Sequence, residues 1–462
     1  MSTLLVKNAM LLATMDDQRR EISDGGLFIR DGFIEQVGTS SELPETADEI
    51  LDLSGHVLLP GLINTHHHFY QTLTRAVPAA QNANLFGWLT TLYPIWAGMN
   101  AEDIYISTQT ALAELALSGC TTASDHLYIF PNSSKLDDEI HAAREIGVRL
   151  QASRGSMSLG QSKGGLPPDS VVEEEDFILQ DSVRLIQRYH QAEDGAMTQV
   201  VLAPCSPFSV TGDLMRETAK LAREYKVQLH THLAETEDED QFCLDQFGHK
   251  PVAYMESVDW IGDDVWFAHS VHLNKEEIAL YAKIGCGVAH CPSSNMRLAS
   301  GIAPLIEMLT AGVKVGLGVD GSASNDGSHM LGEVRQAMLL SRLGAGITGA
   351  SLSGEDAPPL MTARTALEIA TRGSASVLGR KDIGSLEIGK SADFFAVDLN
   401  QLDFAGSLHD PLAALVFCAP AKANYTVVGG KFVVKDGQIV TIDLNELIEK
   451  HNKAAARLVK NL

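Results

Sequence analysis

The sequence predicts an α/β chain whose centre is a (β/α)8, TIM-like barrel and whose two ends join in a small β-sandwich. Two observations predict it. From residue 58 onward, short apolar runs recur eight times, separated by longer segments of helical period. Strand–helix alternation repeated eight times fits a closed parallel barrel better than a sandwich or a helical bundle, with a doubly wound open sheet as the alternative. On either side of that stretch the texture changes to short strand-like runs broken by Asp-Gly, Asn and Gly turns. The simplest arrangement pairs residues 1–57 with 379–440 as one small domain. The barrel, 58–378, is then an insert, and 441–462 is a C-terminal helix.

The elements follow in order. The N-terminal strands are the apolar runs 4–7, 26–30 and 33–37. The eight barrel strands are 58–65, 121–125, 148–153, 199–203, 227–233, 265–268, 287–290 and 313–319. Between the fourth and fifth, 213–226 sets Leu214, Thr218, Leu221, Ala222 and Tyr225 on one helical face, and Thr211 or Asp213 caps its start. Beyond residue 378, a turn-rich stretch over 384–390 precedes strands at 392–397, 424–428 and 431–434, with Lys435-Asp436-Gly437 as a turn. Leu444, Leu447, Ile448, His451, Ala455 and Leu458 mark the apolar stripe of the last helix.

The 462 residues carry 35 Lys and Arg against 59 Asp and Glu, a formal charge of −24. That excess argues against a nucleic-acid footprint and against attachment to an anionic membrane surface. No run approaches the ~18 apolar residues of a membrane span. The apolar N-terminus lacks the basic segment and small-residue cleavage site of a secretory signal. Six scattered cysteines without a CxxC read as free thiols in a reducing compartment. The expectation is a cytoplasmic protein with neither nucleic acid nor membrane as partner.

Chemistry-bearing residues fall where the barrel strands end, the face on which barrels place their sites. The first strand ends in His66-His67-His68. Alternate residues of a strand share a face, so His66 and His68 point together and His67 points away to pack. The fifth ends in His230-Thr231-His232-Leu233-Ala234-Glu235, and the eighth in Gly318-Val319-Asp320-Gly321. His66, His68, His232 and Asp320 are thus expected to meet in the barrel mouth. Three imidazoles and a carboxylate suit one divalent metal, Zn²⁺ or Fe²⁺, with a position left for water. Glu235 lies three residues beyond His232, which on a regular strand would point it to the opposite side. It must therefore sit where the chain has already turned.

These motifs, in this order along essentially the whole chain, resemble the amidohydrolase superfamily. Its branch that deaminates purines, pterins and triazines, with the related chlorohydrolases, is the most similar. Within that branch the segments 64–75, 124–128, 154–160, 202–211 and 291–301 are most similar to 8-oxoguanine deaminases. The resemblance implies a zinc-dependent aminohydrolase that converts 8-oxoguanine and water to urate and ammonia. The alternatives are guanine, isocytosine, a pterin or a hydroxylated s-triazine as substrate, or dechlorination. It implies Glu235, His269 and Asp320 as catalytic groups, with Glu235 shuttling protons and Asp320 and His269 serving the attacking water.

Gln71, three residues after His68, would read a lactam edge, and Arg154, at the end of strand three, would donate to a ring carbonyl. Phe69, Trp88 and Tyr128 are candidate stacking faces. His126 would lie behind the metal ligands. Binuclear members use a lysine at the end of strand four. Here Pro204-Cys205 stands there, which implies one metal. A homo-oligomer is implied by the same resemblance.

Overall fold

The computed structural model describes residues 2–347, 360–418 and 421–460. Met1, 348–359, 419–420 and 461–462, which fall inside the segments assigned above, lie outside the described residues. Eight parallel strands close a barrel: β1 (Leu62–Asn64), β2 (Cys120–Leu127), β3 (Arg149–Ser156), β4 (Thr198–Pro204), β5 (Leu229–Leu233), β6 (Val265–His269), β7 (Gly287–His290) and β8 (Lys314–Leu317). Closure runs through β8 and β1, where Leu317 pairs with Asn64. Strands buried on both faces read as continuous apolar runs, which is why they were visible in the sequence.

The two chain ends build a separate nine-stranded sheet. In spatial order it holds Gln438–Ile439, Lys431–Lys435, Tyr425–Val428, Phe394–Asp398, His56–Pro60, Thr3–Ala13, Glu21–Arg30 and Phe33–Thr39, with Glu49–Asp52 beside Thr3–Ala13. Leu4, Val6, Leu27, Leu58, Phe394 and Val427, from strands across that sheet, gather in one core of their own.

The apolar run 58–65 proves to be two strands. His56–Pro60 pairs antiparallel with Phe394–Asp398 in the outer sheet, and only Leu62–Asn64 enters the barrel. The hinge is Gly61, where a Cβ would lie 2.0 Å from Oγ1 of Thr121. Only glycine permits that approach of the chain to the barrel wall.

The helix expected over 213–226 spans Gly212–Tyr225, and Oγ1 of Thr211 caps it by accepting from the Leu214 amide at 3.1 Å. Leu214, Thr218 and Ala222 are buried as the spacing requires. The last helix is Leu444–Val459; Leu447 and His451 are buried, whereas Ile448 is exposed. His451 Nε2 lies 3.0 Å from Oγ1 of Thr72, which ties this helix to the loop after β1. All six cysteines are unpaired. Among the described residues, no helix is long and apolar enough to cross a membrane.

Candidate active site

His66 and His68 leave β1 on one side, as the strand alternation requires. His67 turns away: its Nδ1 accepts from the His68 amide at 2.7 Å, and its Nε2 lies 2.9 Å from Oγ of Ser328. At the mouth, Nε2 of His66 and Nε2 of His68 stand 3.3 and 3.4 Å from Oδ1 of Asp320. His232 completes the group, with its Nε2 3.1 Å from Nε2 of His68. All four side chains predicted to converge do so. His66, His68 and Asp320 form one metal-competent group, and His66, His232 and His269 another that shares His66.

Whether these residues suit a cation is tested by their other nitrogens. Nδ1 of His68 donates to the His126 carbonyl at 2.8 Å, and Nδ1 of His232 donates to the Cys205 carbonyl at 2.6 Å. Each ring therefore carries its proton on Nδ1 and turns a bare Nε2 toward the common point. Nε2 of His66 is fully buried, with no hydrogen-bond partner among the described residues. Several bare nitrogens beside a carboxylate in a dry site are a cation's donor set. Burial holds His66, His68 and His232 below the ordinary histidine range, His232 at about 3, in the neutral form a metal needs.

The strand ends aim the remaining groups through left-handed backbone. Ala234 has φ 53°, His269 φ 71° and Asp320 φ 60°. Each such residue costs about 1–3 kcal/mol, which the surroundings must over-determine. At Ala234 the Glu239 carboxylate accepts from the amides of Ala234 and Glu235 at 3.0 and 2.9 Å, which fixes the turn after β5. The turn that the spacing of His232 and Glu235 demanded is thus Ala234. It brings Oε2 of Glu235 to 3.5 Å from Nε2 of His269, whose Nδ1 donates to Oδ1 of Asn295 at 2.9 Å.

Burial raises the Glu235 carboxyl above its ordinary value, His269 holds it back in part, and the Asp320 charge adds to the rise. Burial opposes a charge on His269, yet Glu235 and Asp320 overcome that and hold the imidazole above its usual range. Asp320 is also buried, but the His66 ring beside it and the surrounding imidazoles of His269 and His68 keep its carboxyl well below the ordinary carboxylate range. Oδ2 of Asp320 accepts from Ser294 Oγ at 2.6 Å and Ser324 Oγ at 3.1 Å. Glu239, Ser294, Asn295 and Ser324 were not foreseen. Their only signal was polar residues in the segments that follow barrel strands.

A narrow cavity opens over this floor. The helix Leu85–Trp96 roofs it with Leu85, Trp88, Leu89 and Tyr93, and Tyr128 and Phe208 form a wall. Gln71 lines it from the loop after β1. Its Oε1 accepts from the Ala323 amide at 3.4 Å, and its buried Nε2 has no acceptor among the described residues. Tyr93 contributes a second buried polar atom without a partner among the described residues, its hydroxyl.

Of the aromatic candidates, Trp88 and Tyr128 reach the cavity, whereas Phe69 packs against the His67 ring at 4.8 Å. His126 lies behind the ligands, its ring stacked 4.9 Å from that of His232 and its Nε2 donating to the Ala203 carbonyl. Arg154 does not reach the cavity. Its guanidinium is buried over the Phe130 ring, and Glu173 and Asp181 accept from it at 2.9–3.0 Å. Those carboxylates and the Gly155 carbonyl take four of its five N–H donors, and they hold it away from the cavity.

The 8-oxoguanine deaminase of Pseudomonas aeruginosa is 51% identical over 438 residues, covering 94% of this chain and 95% of that one. The hydroxydechloroatrazine ethylaminohydrolase of Pseudomonas sp. strain ADP is 35% identical over 480 residues, covering 99% and 96%. Among solved structures, the atrazine chlorohydrolase TrzN of Arthrobacter aurescens TC1, complexed with zinc, superposes with a TM-score of 0.92 at 34% identity, covering 98% of this chain and all of that one. The profile described as the amidohydrolase family matches residues 57–433, and the chain belongs to that family.

Proposed function

We propose that the protein is a zinc-dependent aminohydrolase that takes 8-oxoguanine and water to urate and ammonia. The observation that carries the reading is the position of Glu235. It is a buried carboxyl with a raised pKa, beside His269 and Asp320, on the floor of a largely apolar cavity. An amine departs from a ring carbon only after it is protonated, and chloride needs no such group. The relative that is 51% identical and bears the name 8-oxoguanine deaminase supports the choice of ring.

His66, His68, His232 and Asp320 would hold one divalent cation. Zinc is preferred over Fe²⁺ because zinc accompanies the similar chlorohydrolase structure. When bound, the cation supplies the Lewis acidity that makes water a nucleophile near neutral pH. Asp320 takes a proton from the attacking water, and His269, fixed by Asn295, orients that water. Glu235 delivers a proton to the ring nitrogen next to C2, which makes that carbon electrophilic. After attack, the proton that Asp320 took from the water goes to the amine, which leaves as ammonia, and Glu235 assists that transfer as it recovers its own proton from the new hydroxyl, which becomes the carbonyl. A single acid–base group of this kind contributes about 10²–10⁴-fold. Gln71 holds the ring by its amide edge, and Trp88 and Tyr128 cover its faces.

The test is ammonia release by the zinc-loaded protein against 8-oxoguanine, guanine, isocytosine, a pterin and a hydroxylated s-triazine. The expected result is a kcat/KM for 8-oxoguanine at least tenfold above the others. Equal rates on guanine overturn the substrate, and chloride release from a chlorotriazine without ammonia from any amine overturns the reaction.

A further inference from the structure

We infer that His230, which touches neither cavity nor cation, is a positioning residue. Through one hydrogen bond it sets the tautomer of His66 and so the nitrogen that His66 offers to a metal. The inference rests on the reading of His66 as a ligand.

Nδ1 of His230 lies 3.0 Å from the backbone carbonyl of Trp266. A carbonyl only accepts, so the proton of this imidazole is on Nδ1, and Nε2 carries a lone pair. That Nε2 stands 2.8 Å from Nδ1 of His66, which must then donate. With its proton committed to Nδ1, His66 has a bare Nε2, the atom 3.3 Å from Oδ1 of Asp320. The chain from the Trp266 carbonyl through two imidazoles therefore fixes a lone pair at the mouth.

The ring of His230 cannot rotate out of this role. It is fully buried and stacked on the indole of Trp266, with centroids 4.5 Å apart and planes 15° apart. His68 and His232 reach the same tautomer by donating directly to backbone carbonyls. His66 differs among the three in having a side chain as its acceptor, so its tautomer alone is open to mutation.

His66, His126 and His230 also stand close enough to bind an ion of their own. The geometry argues against that use. The 2.8 Å contact between His66 and His230 is a hydrogen-bond distance, and Nδ1 of His66 cannot donate there and also ligate.

The experiment compares His230→Gln with His230→Met. The two side chains have similar shape, but glutamine can accept from His66 and donate to the Trp266 carbonyl, and methionine can do neither. Zinc affinity is measured by competition with a chromophoric chelator, alongside zinc stoichiometry and the melting temperature of the metal-free forms. His230→Gln is expected to stay within about threefold of the unaltered protein. His230→Met is expected to bind zinc about 10–100-fold more weakly, the usual effect of losing a partner behind a ligand, with metal-free melting temperatures that match.

Equal zinc affinity in the two variants overturns the inference. So does a stoichiometry of two that falls to one in both. If the unaltered protein binds no divalent metal, the ligand reading itself fails, a separate result. Should His230→Met not fold, imidazole ¹⁵N spectra of the zinc-loaded unaltered protein decide: protonated Nδ1 on both His66 and His230 supports the inference, and a protonated Nε2 on either overturns it.

Discussion

Oε2 of Glu235 stands 3.5 Å from Nε2 of His269, each delivered by a left-handed turn at the end of its own barrel strand. Glu235→Gln keeps the shape of that contact and removes the titrating oxygen. The expected outcome is an unchanged metal content and melting temperature with kcat lower by about 10²–10⁴-fold. Steady-state ammonia release and zinc analysis on one preparation check it, and a variant with more than a tenth of the activity would show that protons travel by another route.

His232 donates its Nδ1–H to the Cys205 carbonyl and has no alternative use for Nε2. His232→Ala removes one of three imidazole ligands, so metal and activity should fall together. Elemental analysis after dialysis should find well under one zinc per chain, and added zinc should restore little turnover. Full metal occupancy in this variant would move the cation elsewhere.

On the cavity wall Gln71 presents a buried amide nitrogen without an acceptor among the described residues. Its loss takes about one hydrogen bond from bound substrate, roughly 1 kcal/mol. Gln71→Ala should therefore raise KM about five- to tenfold with kcat within about threefold. A fall in kcat at constant KM would mean that the contact forms only in the transition state.

The convergence of these four side chains was legible because its signal is order and period. His66 and His68 are two apart on a strand, His232 and Asp320 end other strands, and barrel topology brings strand ends together. Glu235 was legible from a spacing that a straight strand cannot satisfy. Arg154 was misplaced for a reason equally physical. Every residue of β3 is buried, so alternation along it does not say which side faces the cavity. Its partners Glu173 and Asp181 come from a segment whose packing the sequence does not display. The split at Gly61 was hidden because His56–Pro60 and Leu62–Asn64 join without a polar break between the two buried sheets. Ser294 and Asn295 were invisible as functional groups until β7 and β8 set them against Asp320 and His269.

Asp125 and Glu139 form a second buried acidic pair, behind β2. Oδ1 of Asp125 accepts from the Phe69 amide at 2.6 Å, and neither oxygen of Glu139 has a donor among the described residues. Burial raises both carboxyls, and the Asp125 charge raises Glu139 further, so Glu139 holds a proton well above the usual carboxylate range. A raised folded pKa gives stability that is complete below the unfolded value, about 4.3, and is lost as pH rises toward the folded one. Glu139→Gln supplies a permanent donor to Asp125. Its stability relative to the unaltered protein should rise between pH 5 and 8, by up to about 1.4 kcal/mol per pH unit. Denaturant midpoints across that range check it, and a pH-independent difference would show that Glu139 is already ionised.

Arg149 and Asp393 fasten the barrel to the outer sheet. Nε and Nη2 of Arg149 donate to the two carboxylate oxygens at 2.6 and 2.9 Å, with both side chains 2% exposed. Asp393 also receives the Gly429 amide on Oδ1 and, through its carbonyl, the Gly61 amide at the hinge before β1. Breaking a buried pair by neutralising one partner leaves the other charge uncompensated and costs about 3–5 kcal/mol. Asp393→Asn should cost that much, yet it lies at the end of the barrel opposite the mouth, so metal content and KM should hold at temperatures where the fold persists. Amide hydrogen exchange locates the loss: Phe394–Asp398 and His56–Pro60 should lose protection before β5 and β6 do. Uniform loss across both sheets would mean that the barrel and the chain-end domain unfold as one unit and that this bridge is not the weak joint between them.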